Sequence, residues 1–214
     1  ITELHGENGS GKSQTMMSLA VNVQKPIEEG GMGKGAIYID TESSVLTERI
    51  EEIAESKEMD PEETLANIFI AQTIDSSDLL DKVKSARQIC SQEDIGLIII
   101  DSISGHFRAE FSGRDELTER QDGIGEVIKN LKELTRAHGV AVAYTNQVYH
   151  DPGGGYGDNT IPWGGNIIGL NSTFRVYLQD RQSKGWAATL VDSPGLPHQQ
   201  VRFQIDESGL VDKE

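Results

Sequence analysis

Eight residues near the start of the sequence, Gly6-Glu7-Asn8-Gly9-Ser10-Gly11-Lys12-Ser13, fill the pattern G-x-x-x-x-G-K-[ST] completely. This loop limits the fold more tightly than any other feature, because it works only between a strand and a helix. Both flanks are present. Ile1-Thr2-Glu3-Leu4 reads as an apolar strand, and Lys12 to Gln24 carries Met16, Leu19, Ala20 and Val23 at helical spacing. The glycines let the backbone curl so that its N–H groups converge on phosphate oxygens. Lys12 adds a point charge at the β/γ-phosphates, Ser13 offers a hydroxyl to Mg²⁺, and the helix turns its positive end to the same anion. A glycine-rich turn can match by chance in a chain with 23 glycines. The strand before and the helix after argue against that.

The rest of the chain alternates strand and helix. Strands are expected at Ala36–Asp40, Ile68–Gln72, Leu97–Asp101 and Val140–Asn146, and helices near Leu46–Lys57, Ser77–Ser91 and Asp115–His138. The alternation predicts a mostly parallel sheet covered by helices. After about Pro162 the pattern becomes Phe174–Leu178, Ala187–Asp192 and Val201–Ile205, short strands joined by turns that predict C-terminal antiparallel hairpins. At 214 residues the chain is long enough for one well-packed α/β domain, and 1–214 is read as that single domain. An opening directly on what should be a central strand suggests an excised domain.

Two strand tips carry acids. Leu97-Ile98-Ile99-Ile100 ends in Asp101, which suits an aspartate of the Mg²⁺ shell, although a strand-end turn would use the same residue. Residue 102 is Ser, so a water-activating glutamate cannot directly follow Asp101. Ala36-Ile37-Tyr38-Ile39-Asp40-Thr41-Glu42 supplies the alternative: at the carboxyl end of a neighbouring strand, Glu42 faces the same crevice as a general base. Asp40 and Glu42 could instead cap the next helix. A third tip, Thr145-Asn146-Gln147, offers a neutral amide that could report the γ-phosphate, or simply a buried, satisfied side chain.

Composition narrows the partners. Thirty-five acids against 19 bases give a formal charge of −16, which opposes a bulk attraction to nucleic acid or anionic membrane, so any nucleic-acid contact must be local. The longest clear apolar run, Leu97–Ile100, is far below the ~20 residues that cross a bilayer, and no signal peptide is legible. A single cysteine, Cys90, fits a reducing cytosol, and cytoplasmic localisation is expected. His5, His106, His138, His150 and His198 are scattered, with no zinc-type spacing.

Taken in order, Ile1-Thr2-Glu3 leading into Gly6–Gln14, Asp40-Thr41-Glu42, Glu48-Arg49-Ile50, Leu97–Ser102, Phe107-Arg108, Gly113-Arg114, Glu119-Arg120-Gln121, Thr145-Asn146-Gln147-Val148, Gly164-Gly165-Asn166-Ile167-Ile168 and Asp192-Ser193-Pro194 form a wider constellation. Over essentially the whole chain it resembles the ATPase core of the archaeal RadA and eukaryotic Rad-type recombinases, of the RecA-like family. The resemblance implies a RecA-like P-loop α/β fold and a DNA-dependent ATPase using ATP and Mg²⁺. It implies ATP-stabilised filaments on single-stranded DNA that pair with duplex DNA during exchange, in the nucleoid of a prokaryote or the nucleus of a eukaryote. By resemblance Glu42 is the catalytic glutamate, Gln147 the γ-phosphate sensor, and Lys12 and Gln14 belong to the nucleotide site. Arg49 packs on the adenine, while Asp192 and Pro197 cap the ATP of a neighbouring subunit. Arg108, Arg114 and Arg120 belong to the first DNA-binding loop, and residues from about Val148 to Gly164, including Gly153-Gly154-Gly155, form the second.

The sequence also departs from that family. Asn8 stands where an aromatic residue is usual, Val45 and Leu46 replace a Phe-Arg pair, and Leu170 occupies a position commonly held by histidine. The segment Gln179-Asp180-Arg181-Gln182-Ser183-Lys184 is less basic than usual. From charge alone the arginine loop, with Glu110, Asp115, Glu116 and Glu119 beside it, reads as a solvated polar segment; the resemblance reverses that reading toward DNA. A recombinase paralogue or mediator that binds ATP without strand exchange is the alternative function. A third is an interaction module, whose strand Ile68–Gln72 and helix Ser77–Ser91 receive an aromatic-containing peptide from a partner or a neighbouring subunit.

Overall fold

Alternate residues of the strands point to opposite faces, and the sequence makes both faces apolar. The computed structural model describes residues 1–111, 113, 116–150 and 160–213. Six strands run parallel in the order β7(Phe174–Asp180), β1(Thr2–Gly6), β5(Ala141–His150), β4(Ile95–Asp101), β2(Gly35–Asp40), β3(Ile68–Gln72). Beyond β7 the sheet continues antiparallel through β8(Trp186–Asp192), β9(Gln199–Asp206) and β10(Gly209–Asp212), and β6(Thr160–Pro162) folds back on β5.

Each central strand feeds two cores. Ile37, Ile39, Ile98, Ile100, Val142 and Tyr144 pack on one face with Leu79 and Val83 of α4(Ser76–Gln92) and with α6(Leu117–His138), whose Ile124, Val127, Ile128, Leu131 and Leu134 are buried. Ala36, Tyr38, Leu97, Ile99 and Ala143 pack on the other with Met16, Met17 and Ala20 of α1(Lys12–Asn22) and with Ile50 and Ile53 of α2(Thr47–Ser56). Strands apolar on both faces, covered by helices on both, are what a parallel sheet requires. Cys90 is partly buried against the first core.

Three short helices add to the expected elements: α3(Pro61–Ala66), opened by the Asp60 cap on Glu63, α5(Gly105–Glu110) and α7(Gly165–Gly169). Three further findings refine the sequence reading. Phe174–Asp180 is a parallel neighbour of β1 before it becomes the first arm of a hairpin. The strand expected to stop at Asn146 runs on to His150, and β10 closes the C-terminal sheet. No helix among the described residues is long and apolar enough to cross a membrane.

The candidate nucleotide cleft

At the carboxyl ends of β1, β2, β4 and β5, next to one another in the sheet, the structure opens a cleft of about 630 Å³. Asn8, Gly9, Gly11, Lys12, Ser13, Gln14, Glu42, Arg49, Asp101, Ser102, Thr145 and Gln147 line it, joined by Trp186, Ile205, Asp206 and Glu207. The three strand tips singled out from sequence therefore converge on one crevice, where a parallel sheet places its ligands.

The loop has the backbone an anion site needs. Gly9 and Gly11 take φ of 78° and 89°, which side chains resist. At Gly6 a Cβ would fall 2.3 Å from the Leu178 carbonyl of β7, so only glycine lets the end of β1 lie this close to its neighbour. Helix α1 starts with no side-chain cap and no acid in its first turn, leaving its N–H groups to face an anion. Lys12 Nζ donates to the carbonyls of Gly6 and Glu7, at 2.9 and 2.7 Å, arching over the loop. Desolvation lowers the Lys12 pKa, against the opposing charges of Asp101, Glu42 and Glu7. Among the described residues no three His, Cys, Asp or Glu side chains gather as a metal site. A divalent ion would thus need Ser13 and Asp101 supplemented by phosphate oxygens and water, the usual arrangement for Mg²⁺.

Asp40 and Glu42 sit differently, and neither caps the next helix, since α2 opens after Leu46 with no side-chain cap. The buried Asp40 accepts the backbone N–H groups of Glu42, Ser44 and Val45 at 3.0–3.2 Å, fixing the turn after β2. Glu42 is exposed at the cleft, and its Oε1 accepts from Ser102 Oγ at 2.6 Å and Gln147 Nε2 at 2.8 Å. Gln147 in turn accepts from Arg108 Nη1 through its Oε1. A chain of side chains thus runs from Ser102 through Glu42 and Gln147 to Arg108. Asp101 is buried, accepting from Tyr38 Oη at 2.9 Å and from Thr145 Oγ1. Burial, and then the charge of Asp101, raises the Tyr38 pKa well above its ordinary value, so this phenol remains a donor.

Arg49 is braced by the protein's own groups. Its guanidinium reaches Gln14 Oε1 (2.9 Å), Glu52 Oε2 (2.9 Å) and the carbonyls of Asp206 and Glu207. A planar cation so fixed presents a ready stacking surface. The C-terminal carbonyls that hold it carried no signal in the sequence.

Gly6, Glu7 and Ser10 contribute to the loop without lining the cleft; Asp192 ends β8 and Pro197 lies on the connection to β9, both exposed and neither lining the cleft. Arg108 and Arg120 line a separate hollow with Leu117, Tyr149, Trp163 and Gly165. Within it the Arg120 guanidinium lies 4.8 Å from the Trp163 ring centroid. Arg114 and Gly153-Gly154-Gly155 lie outside the described residues. Sequence reasoning passed over Ser102 as a partner of Glu42, and it took in Tyr149 and Trp163 only within the span 148–164, without singling out their aromatic rings.

Behind the cleft sits a buried polar knot. Glu3, fully buried, accepts from Arg175 Nε at 2.6 Å and from Asn146 Nδ2 at 2.8 Å, and Asn146 Nδ2 also reaches the Trp163 carbonyl at 2.7 Å. Through Asn146 the strand of the phosphate loop is tied to the start of α7, beside the arginine hollow.

Comparison with known proteins agrees with this geometry. The Rad51 family profile matches residues 1–213. The "DNA repair and recombination protein RadA" of Cenarchaeum symbiosum (strain A) is 40% identical over 214 residues, all of this chain and 54% of that protein. The chain thus spans about half the length of that relative. A parallel sheet bearing a phosphate loop, the tips around it and a match along essentially its full length lead to one conclusion: the chain belongs to the Rad51 family of RecA-like proteins.

Proposed function

We propose that this chain is the ATP-hydrolysing core of a homologous-recombination protein, whose hydrolysis responds to single-stranded DNA. The observation that carries the reading is Glu42, held at the mouth of the phosphate-loop cleft by Ser102 and Gln147, with Gln147 joined to Arg108 of the arginine hollow. A carboxylate there is placed to orient water toward a γ-phosphate. Lys12 and the loop N–H groups would neutralise the phosphates, and the braced Arg49 would pack on the base. Ser13 and Asp101 would hold Mg²⁺, which when bound supplies positive charge to the β- and γ-oxygens.

The link to DNA follows from the side-chain chain. Arg108 engaged on a DNA phosphate would release the Gln147 amide, and Gln147 so released would no longer cap Glu42. Arg120 and Trp163 lie in the same hollow as Arg108 and suit contact with a strand's phosphates and bases. With Arg114 they form the local positive site that a chain of charge −16 requires. The family and the relative named for recombination support filament assembly, in which Asp192 and Pro197 would reach a neighbour's nucleotide. They likewise support a DNA-associated location and a single ATPase domain over 1–214.

A second reading, a paralogue that binds ATP without strand exchange, is favoured by Leu170. It replaces the expected histidine and is 84% exposed, leaving an apolar surface where a polar contact would read the neighbour's state.

Steady-state ATP turnover with and without single-stranded DNA, measured on the full-length protein, tests both. Strong stimulation in the wild type and a loss of at least ~100-fold in Glu42→Gln, with ATP affinity kept within about threefold, is expected. ATP binding without stimulation would favour the paralogue, and hydrolysis surviving Glu42→Gln would remove the base assigned here.

A further inference from the structure

The cleft has one wall that the phosphate loop and the three strand tips do not explain. Strand β7 ends beside β1, pairing Leu178 with Gly6, and β8 begins where β7 ends, pairing Trp186 with Asp180. This topology delivers the first residue of β8 to the edge of the phosphate loop. Trp186 Nε1–H donates to the Gly9 carbonyl at 3.2 Å. A Cβ placed on Gly11 would lie 3.5 Å from Trp186 Cδ1 and 3.0 Å from Ile205 Cδ1, so the two side chains lie directly over the turn into α1. The indole is backed by Phe203, buried, with ring centroids 6.4 Å apart and planes at 26°. Trp186 itself is half-buried, its remaining surface facing the cleft.

Phosphates need no indole. The loop N–H groups, Lys12 and the start of α1 account for the anionic end of a ligand, and Trp186 and Ile205 add an apolar strip to the cleft, against Gly11 and next to the Asp206 whose carbonyl holds Arg49. That strip suits a flat, apolar part of a ligand. We propose that Trp186 is a nucleotide-contacting residue, its ring walling the nucleoside portion and held in position by its N–H on the Gly9 carbonyl. The inference rests on the nucleotide reading above and adds a residue on β8 that discriminates a nucleoside triphosphate from a bare polyphosphate.

The sequence holds two tryptophans, so Trp163→Phe leaves Trp186 as the sole indole reporter. In that variant, ATP is expected to change the tryptophan emission saturably, with the midpoint found by calorimetry. Affinities for ATP and for inorganic tripolyphosphate, which carries the anionic chain without base or sugar, are then compared in wild type, Trp186→Ala and Trp186→Phe. Loss of a stacked ring should weaken ATP by about five- to fiftyfold and tripolyphosphate by less than about twofold. Trp186→Phe keeps a ring and should hold ATP within about threefold of wild type, also checking that the fold is intact.

Equal weakening of both ligands by Trp186→Ala would reduce Trp186 to a brace of the loop and overturn the proposal. Unchanged ATP affinity would do the same, as would indole emission indifferent to saturating ATP. Wild-type protein that binds tripolyphosphate but not ATP, or neither, would overturn the nucleotide reading itself, a result distinct from failure at Trp186.

Discussion

Arg108 is the outermost member of a chain that reaches the proposed base, and its removal should act at a distance. It donates to Gln147 Oε1, which orients the amide so that Nε2 caps Glu42. Arg108→Ala lets that amide rotate and uncovers the carboxylate. DNA-independent ATP turnover should rise about two- to tenfold, the gain expected when a general base is freed, while stimulation by single-stranded DNA falls toward onefold. Unchanged basal turnover with full stimulation in the steady-state assay would show that the chain transmits nothing. A different titration governs His5, buried in the strand of the phosphate loop and stacked 5.4 Å from Tyr177. Desolvation, the largest cause, lowers its pKa from 6.5 to about 4; Arg175 and Lys12 act in the same direction and Glu3, 3.8 Å away, opposes them. Between those values the unfolded chain takes up a proton that the folded chain refuses, so stability falls as pH drops through 6.5 and stops falling on this account below about 4. By pH 5 the loss from this group amounts to ~2 kcal/mol. Urea denaturation at pH 7 and pH 5 should show that loss in the wild type and a smaller one in His5→Gln. Identical pH slopes would mean the imidazole is protonated inside the fold.

Elements differ in how much of themselves they write into the sequence. The long helices and central strands were legible from their patterning: α6 shows its apolar stripe over six turns, and β4 is apolar up to its terminal Asp101. Helices α3, α5 and α7 span five or six residues, too short for any period to establish itself, and they were missed. Strand order was equally silent, since the pairing of β7 with β1 joins residues some 170 positions apart through no local signal. That is why Glu42, Asp101 and Gln147 could be read from their strand tips while Trp186 and the carbonyls behind Arg49 could not. Packing between elements also decides a case where local propensity points the other way. Gly123 lies within α6, where alanine would ordinarily be worth ~1 kcal/mol. Its Cβ, however, would sit 2.6 Å from Cε1 of the buried Phe107 ring on α5. A rigid ring in a closed core cannot give that much, so Gly123→Ala should destabilise by about 1–3 kcal/mol. Two residues on, a Cβ at Gly125 meets only the Ile167 side-chain terminus at 3.2 Å, and Gly125→Ala should fall within about ±1 kcal/mol. Thermal denaturation of the two variants checks the contrast; equal midpoints would mean α5 is not packed on α6 as described.

At the scale of the whole molecule the charge and the proposed ligand are in tension, and the tension fixes a number. A chain of formal charge −16 repels a polyanion everywhere except where positive side chains are locally concentrated. Arg108 and Arg120 meet in one hollow, beside Tyr149 and Trp163, and Arg114 lies close in sequence. Three arginines neutralise at most about three phosphates, so log K against log salt should fall with a slope near −2 for single strands. From 50 to 200 mM salt that is a loss of only about twentyfold, far gentler than for a protein with a broad basic face. Affinity of the isolated chain should be correspondingly poor, since few counterions are released and stacking on Trp163 and Tyr149 must supply most of the rest. In a filament the same weak site, repeated along one strand, would add by multivalency to a useful affinity without any subunit binding tightly. Fluorescence anisotropy of a labelled oligonucleotide against salt, with wild type and an Arg108→Ala/Arg120→Ala variant, measures this directly: the slope should be near −2 in the first and near −1 or shallower in the second. A wild-type slope of −5 or steeper would require phosphate contacts well beyond the arginine hollow and would displace it as the main DNA site.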